Sequence, residues 1–233
     1  MFESLFNNLD EKDKNAAIEN IIQHASPRTD FFLMLMLSIS MAVFGILLGS
    51  SVILIGSMLI APILYPVLSL SLGVIVSDSK LIARSFFTLL KSVGIGLMAG
   101  LVIGLLFAGV ANGEMLPLSI YMEGSTSFMY TTVAIIAGFA AAFAITKPHL
   151  NETLPGVAIA VALVPPLATA GVGLAMFDWA MISSALLLFF VNVVGIMFSA
   201  MVVFAMFKFS FKRRVTEEAV RNDEKEIKEE TGS

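Results

Sequence analysis

Cysteine is absent from this chain, and histidine occurs only at His24 and His149. Disulfides, thiol catalysis and thiolate metal sites are therefore excluded. No catalytic constellation remains. Where His149 and Glu152 come close together, between Lys147 and Thr153, there is neither a nucleophile nor a further ligand, and the segment reads as a helix-capping turn. A non-enzyme is the expectation, with no cofactor implied and nothing directed at nucleic acid. Charge is scarce too, at 14% of residues, and no Asp or Glu falls in the middle of any long apolar run. That argues against a proton relay of intramembrane carboxylates and against a cation site built on a charged ligand. Carbonyls and hydroxyls are left as the available ion ligands.

What is abundant is apolar surface. Hydrophobic residues make up 58% of the chain, in nearly uncharged stretches that a soluble fold has too little polar surface to cover. The pattern predicts an all-α polytopic membrane protein, since about 20 apolar residues cross the hydrocarbon. Six spans are expected, at residues 31–49, 52–76, 82–110, 128–147, 154–177 and 180–207. The chain then divides into an amphipathic segment (1–28), a three-helix unit (29–110), a connector (111–127), a second three-helix unit (128–208) and a charged tail (209–233).

Basic residues sort by connection. Lys12, Lys14 and Arg28 precede the first span; Lys80, Arg84 and Lys91 lie where spans two and three join; Lys147 ends span four; the rest follow span six. The alternate connections hold no basic residue and carry Glu114, Glu123 and Asp178. This bias predicts both termini in the cytoplasm. The polar first 28 residues do not resemble a cleavable signal peptide, and the first span is expected to act as the insertion signal.

The two units echo each other. Gly56, Pro66, Ser69 and Gly73 recur as Gly156, Pro166, Thr169 and Gly173, a constant offset of 100 positions. Three spans per copy is an odd number, so the second copy is expected to enter the membrane from the opposite side. Helices broken inside such an inverted repeat form the binding site of many secondary transporters. Pro62, Pro66, Pro165 and Pro166 each remove an N–H and, within a helix, free the carbonyl four residues earlier. The expectation is that the carbonyls of Met58, Pro62, Val161 and Ala162 stand open near the membrane centre. Ser57, Ser69, Thr169 and Asn192 are the candidate solute or ion ligands, although each hydroxyl can equally repair a kink, and Asn192 can join helices instead of lining a path. Lys80, Arg84 and Lys91 fall roughly on one helical face, as an attractor for anionic solute or lipid or as snorkelling anchors.

Gly96, Gly100 and Gly104, and the run from Ala134 to Ala142, read as close-packing faces. Phe2, Leu5, Phe6 and Leu9, then Ile18, Ile21, Ile22 and Ala25, are spaced for short amphipathic helices on the membrane surface. The tail reads as a solvated helix or disorder, with Glu217–Arg221 and Glu224–Lys228 spaced for ion pairs.

The stretches IGSMLIAPILYPVL (Ile55 to Leu68), LPGVAIAVALVPPLATAGVGLA (Leu154 to Ala175) and LLLFFVNVVGI (Leu186 to Ile196) resemble the signature segments of a prokaryotic membrane family, DUF389. The resemblance covers residues 31–207 and implies a multi-pass protein of a bacterial or archaeal inner membrane. From the residues, the expected function is a channel or secondary transporter for a small ion or solute, with the site where the two broken helices cross. Membrane lipids and other copies of the chain are the expected partners. A structural or lipid-organising protein is the alternative.

Overall fold

A computed structural model describes residues 10–107, 124–147, 150 and 163–231. All regular structure among them is helical: α1 (Glu11–His24), α2 (Thr29–Leu47), α3 (Ser51–Ile60), α4 (Leu64–Val76), α5 (Ser79–Phe107), α6 (Gly124–Thr146), α7 (Val164–Met176), α8 (Trp179–Met206) and α9 (Arg213–Thr231). A single 3₁₀ turn, Phe209–Phe211, precedes α9. The segments containing Phe2, Leu5, Phe6 and Leu9, most of the connector 111–127 and the start of the fifth expected span lie outside the described residues.

Three helices, α2, α5 and α8, are long and apolar enough to cross a membrane, and a fourth crossing results if α3 and α4 count as one span bent by 48°. The bend follows from local chemistry. Pro62 has no N–H to continue the ladder of α3, Ala61 turns extended at ψ 122°, and a new helix begins at Leu64. α7 has 13 residues and so a length of about 20 Å, short of the hydrocarbon thickness.

The segments at the 100-residue offset fold alike. α4 and α7 both end in a left-handed residue, Ser77 and Phe177, each at φ 55°. The next N–H, of Asp78 or Asp178, then donates to the carbonyl of Gly73 or Gly173 at 3.0 Å. Each aspartate in turn caps the following long helix, Asp78 Oδ1 accepting from Leu81 N–H at 3.2 Å and Asp178 Oδ1 from Met181 N–H at 3.0 Å. The two segments point in opposite directions. α4 runs antiparallel to α5, with Ser69 beside Ser85 and Gly73 beside Ile82. α7 runs parallel to it, with Leu167, Gly171 and Ala175 meeting Gly96, Gly100 and Gly104 in turn. A Cβ on Gly100 would lie 2.8 Å from the Gly171 Cα, so only glycine allows this approach.

One core joins the helices: Ile18, Ile21 and Ile22 of α1 meet Leu35 and Ile39 of α2, Leu68 and Leu72 of α4, Leu167 of α7 and Phe204 of α8. The outside is also apolar, with Phe86, Phe87, Leu105, Leu106, Val194 and Phe198 about half exposed or more. Water does not tolerate an apolar surface of that extent, whereas lipid does.

Two expectations about the ends are corrected. α1 does not lie free on a membrane surface: Ile18 and Ile21 are fully buried against the bundle, because α4 offers an apolar face there. The tail is a helix with most side chains exposed but not a fully solvated one, since Thr216, Val220 and Asp223 of α9 are buried and α9 packs on α1. Glu217 pairs with Arg213 at 2.8 Å, one turn earlier, rather than with Arg221.

Candidate functional site

Three of the four prolines fall in the first turn of a helix, and the fourth marks a bend. Pro62 sits in the break, Pro66 is the third residue of α4, and Pro165 and Pro166 lie in the first turn of α7. The amides of a first helical turn have no intrahelical acceptor, so proline costs little there. The Pro62 carbonyl, expected to stand open, accepts the Tyr65 N–H at 3.2 Å, because the break closes as a turn. Val161 and Ala162 lie outside the described residues.

The candidate hydroxyls are buried and tied to the protein. Ser57 Oγ donates to the Leu54 carbonyl at 2.6 Å, while the Ser57 carbonyl accepts from Ser38 Oγ at 2.7 Å. Ser85 Oγ donates to Ser69 Oγ at 2.8 Å, and Thr169 Oγ1 donates to the Pro165 carbonyl at 2.8 Å. No hydrogen bond joins Ser57, Ser69 and Thr169 to one another. They sit on α3, α4 and α7, and Asn192 is buried on α8.

The break is not central in the bundle. Ile60 and Pro62 share a cavity of about 460 Å³ with Phe31 and Met34 of the first turns of α2, and with His24, Ser26, Arg28, Asp30 and Glu226. The His24 ring stacks on Tyr65 with centroids 4.7 Å apart, tying the end of α1 to the start of α4. The break therefore opens towards the charged end of the molecule, where proline frees a turn of backbone beside polar side chains.

A charged cluster adjoins this cavity through Ser26 and Arg28, which line it. Asp223 of α9 is only 2% exposed, and its carboxylate is held from three sides. Arg28 Nη2 donates to Oδ1 at 3.1 Å, and Ser26 Oγ donates to Oδ2 at 2.9 Å. Arg84 Nη2 donates both to Asp223 Oδ2 and to Ser26 Oγ, the latter at 3.0 Å. Arg28 reaches further along α9, to Glu226 at 2.7 Å and Glu230 at 3.2 Å. The hydrogen bond that Arg28 donates to Glu226, with the nearby charges of Asp223 and Glu230, holds the Arg28 guanidinium above its ordinary pKa despite partial burial.

Of the three basic residues expected to meet anions, Arg84 thus faces the carboxylate of Asp223, while Lys80 and Lys91 are exposed. Lys80 lines a second cavity, about 480 Å³, with Asp78, Arg214, Glu217 and Glu218. Sequence reasoning missed Asp223, since it lies 139 positions from Arg84. One signal was available: Thr216, Val220 and Asp223 repeat at helical spacing along an otherwise strongly charged tail, the mark of a buried face.

Apolar helices sheathed in exposed aliphatic and aromatic side chains, with ionised groups gathered at an end, define an integral membrane protein. The chain belongs to the family described as Domain of unknown function (DUF389), whose profile matches residues 58–198. It is 35% identical over 183 residues to an uncharacterized protein of Methanocaldococcus jannaschii, a match covering 76% of this chain and 54% of that protein. The chain thus spans about half the length of this relative. No solved structure matches it.

Proposed function

We propose that the protein is a channel or secondary transporter for a small ion or solute in a prokaryotic inner membrane, built as an inverted repeat with both termini cytoplasmic, and working as a homo-oligomer. The observation that carries this reading is the break at Ala61–Ile63, an interruption of an apolar span that opens on a cavity lined by Ser26, Arg28, His24 and Asp30. Broken backbone at membrane depth is tolerated where it faces protein or a water-filled cavity, and such breaks mark transport sites. The opposed directions of α4 and α7, with their matched caps, support the inverted arrangement. We place the site at the first break, near the charged end. Burial and internal hydrogen bonding of Ser57, Ser69 and Thr169 favour the second reading, a structural or lipid-organising protein with a dry centre.

The test uses the full chain, free of native cysteine, in liposomes. Ala61→Cys is expected to react with a membrane-impermeant thiol reagent, while Ser57→Cys stays protected, and modification should lower the flux driven by potassium chloride or potassium phosphate gradients. Flux of both salts no greater than through protein-free liposomes, together with protection at Ala61, would abandon transport for the structural reading.

A further inference from the structure

The cluster around Asp223 leaves two of its donors unused. Its two oxygens face two guanidinium groups and the Ser26 hydroxyl, yet Arg84 Nη1 and Arg28 Nε are buried with no hydrogen-bond partner among the described residues. Buried guanidinium N–H groups left unpaired are costly, and an anion with more oxygens than a carboxylate answers that cost. A tetrahedral oxyanion of the phosphate class has them, and arginine pairs are suited to it.

Most of the negative charge at the cluster comes from α9. Asp223, Glu226 and Glu230 are spaced along one face of that helix, and all three meet Arg28. With α9 in place, two arginines face three carboxylates. Were α9 to move away, all three negative charges would leave together, and Arg84 would stand beside Ser26 and Arg28, two residues that line a cavity of about 460 Å³ while α9 is in place. Asp30, which stays behind, has its Oδ1 engaged by the Phe31 N–H at 2.9 Å.

We propose that Arg28, Arg84 and Ser26 form a binding site for a phosphate-class oxyanion, and that the C-terminal helix occupies this site with Asp223 as a tethered competitor. The site requires no flux, so its binding stands or falls separately from the transport reading. Two sources supply this chemistry, inorganic phosphate in solution and the phosphate of a lipid headgroup. A carboxylate fixed on the same chain competes at a high effective concentration, so removing it should tighten phosphate binding by about tenfold or more.

The experiment measures inorganic phosphate binding by calorimetry, at constant ionic strength, to the full chain in dodecyl maltoside, a detergent without phosphate. Asp223→Gly, which removes the carboxylate and leaves room for an anion, is expected to bind phosphate at least about tenfold more tightly than the unaltered chain. The added Arg84→Gln change should abolish the gain. Repeating the measurement in nanodiscs containing phosphatidic acid separates the sources. A gain in the detergent assigns the site to free phosphate. A gain absent there, but replaced by Arg84-dependent retention of phosphatidic acid, assigns it to the headgroup. No gain of either kind, or one that survives Arg84→Gln, overturns the proposal. If Asp223→Gly does not fold, hydrogen exchange decides on the unaltered chain: phosphate or phosphatidic acid should speed amide exchange in α9, and unchanged exchange with both overturns the proposal.

Discussion

Asp223 shows how much a single side chain can organise. A carboxylate 2% exposed has given up almost all of its hydration, and two arginines and a serine replace that water. Removing one partner from a buried ion pair leaves the other charge uncompensated, which costs more than the pair contributes when intact. Arg84→Gln is therefore expected to lower stability by about 3 kcal/mol, with Arg28 and Ser26 limiting the loss. Unfolding in detergent measures this directly. A change below about 1 kcal/mol would place the contact among ordinary surface bridges. None of the cluster was visible as chemistry in the sequence, because Ser26, Arg28, Arg84 and Asp223 come from three distant segments and only the packing of α9 on α1 brings them together. Ser57, Ser69 and Thr169 stand in contrast. Their positions beside the prolines were legible, but the partners that occupy their hydroxyls, Leu54, Ser85 and the Pro165 carbonyl, depend on rotamers and neighbours that spacing does not reveal.

At the scale of elements, apolar length and proline explain most of what folds. The expected spans at residues 31–49, 82–110 and 180–207 correspond to α2, α5 and α8 within three residues at each end, since long apolar runs leave little choice. The prolines were legible as breaks but not as helix starts, because the difference rests on which residue opens the next helix. That distinction separates two substitutions. Pro66→Ala, in the first turn of α4, restores an N–H that no helical carbonyl needs, and should change stability by less than about 1 kcal/mol. Gly100→Ala, although chemically slighter, sets a methyl group 2.8 Å from the Gly171 Cα, where backbone must shift, and should cost about 1–3 kcal/mol. Thermal unfolding of the two variants side by side checks the order. If Pro66→Ala proves the more damaging, proline rather than the α5–α7 contact governs the packing of this region.

Across the whole molecule, α1 and α9 pack on each other at one end, and Lys212 at the entry to α9 binds Glu11 and, at 3.1 Å, Asn15. Both described ends of the chain therefore lie together. The same end holds Ser77, since α4 finishes where α5 begins. Phe177, its counterpart at the 100-residue offset, belongs at the other end, because α7 runs parallel to α5 and Ala175 reaches Gly104 near the close of that helix. α5, with 29 residues, is about 44 Å long, enough to separate the two turns by a full bilayer. Ser77 and Phe177 are both exposed, and the absence of cysteine makes any introduced thiol unique. Single cysteines at Ser77, Phe177 and Glu229 can therefore be labelled with an impermeant reagent in vesicles of known orientation. Ser77→Cys and Glu229→Cys are expected to react from one side and Phe177→Cys from the other. Reaction of Ser77→Cys and Phe177→Cys from the same side would mean that the two copies enter the membrane in the same sense, and the inverted repeat would have to be given up despite their matching caps.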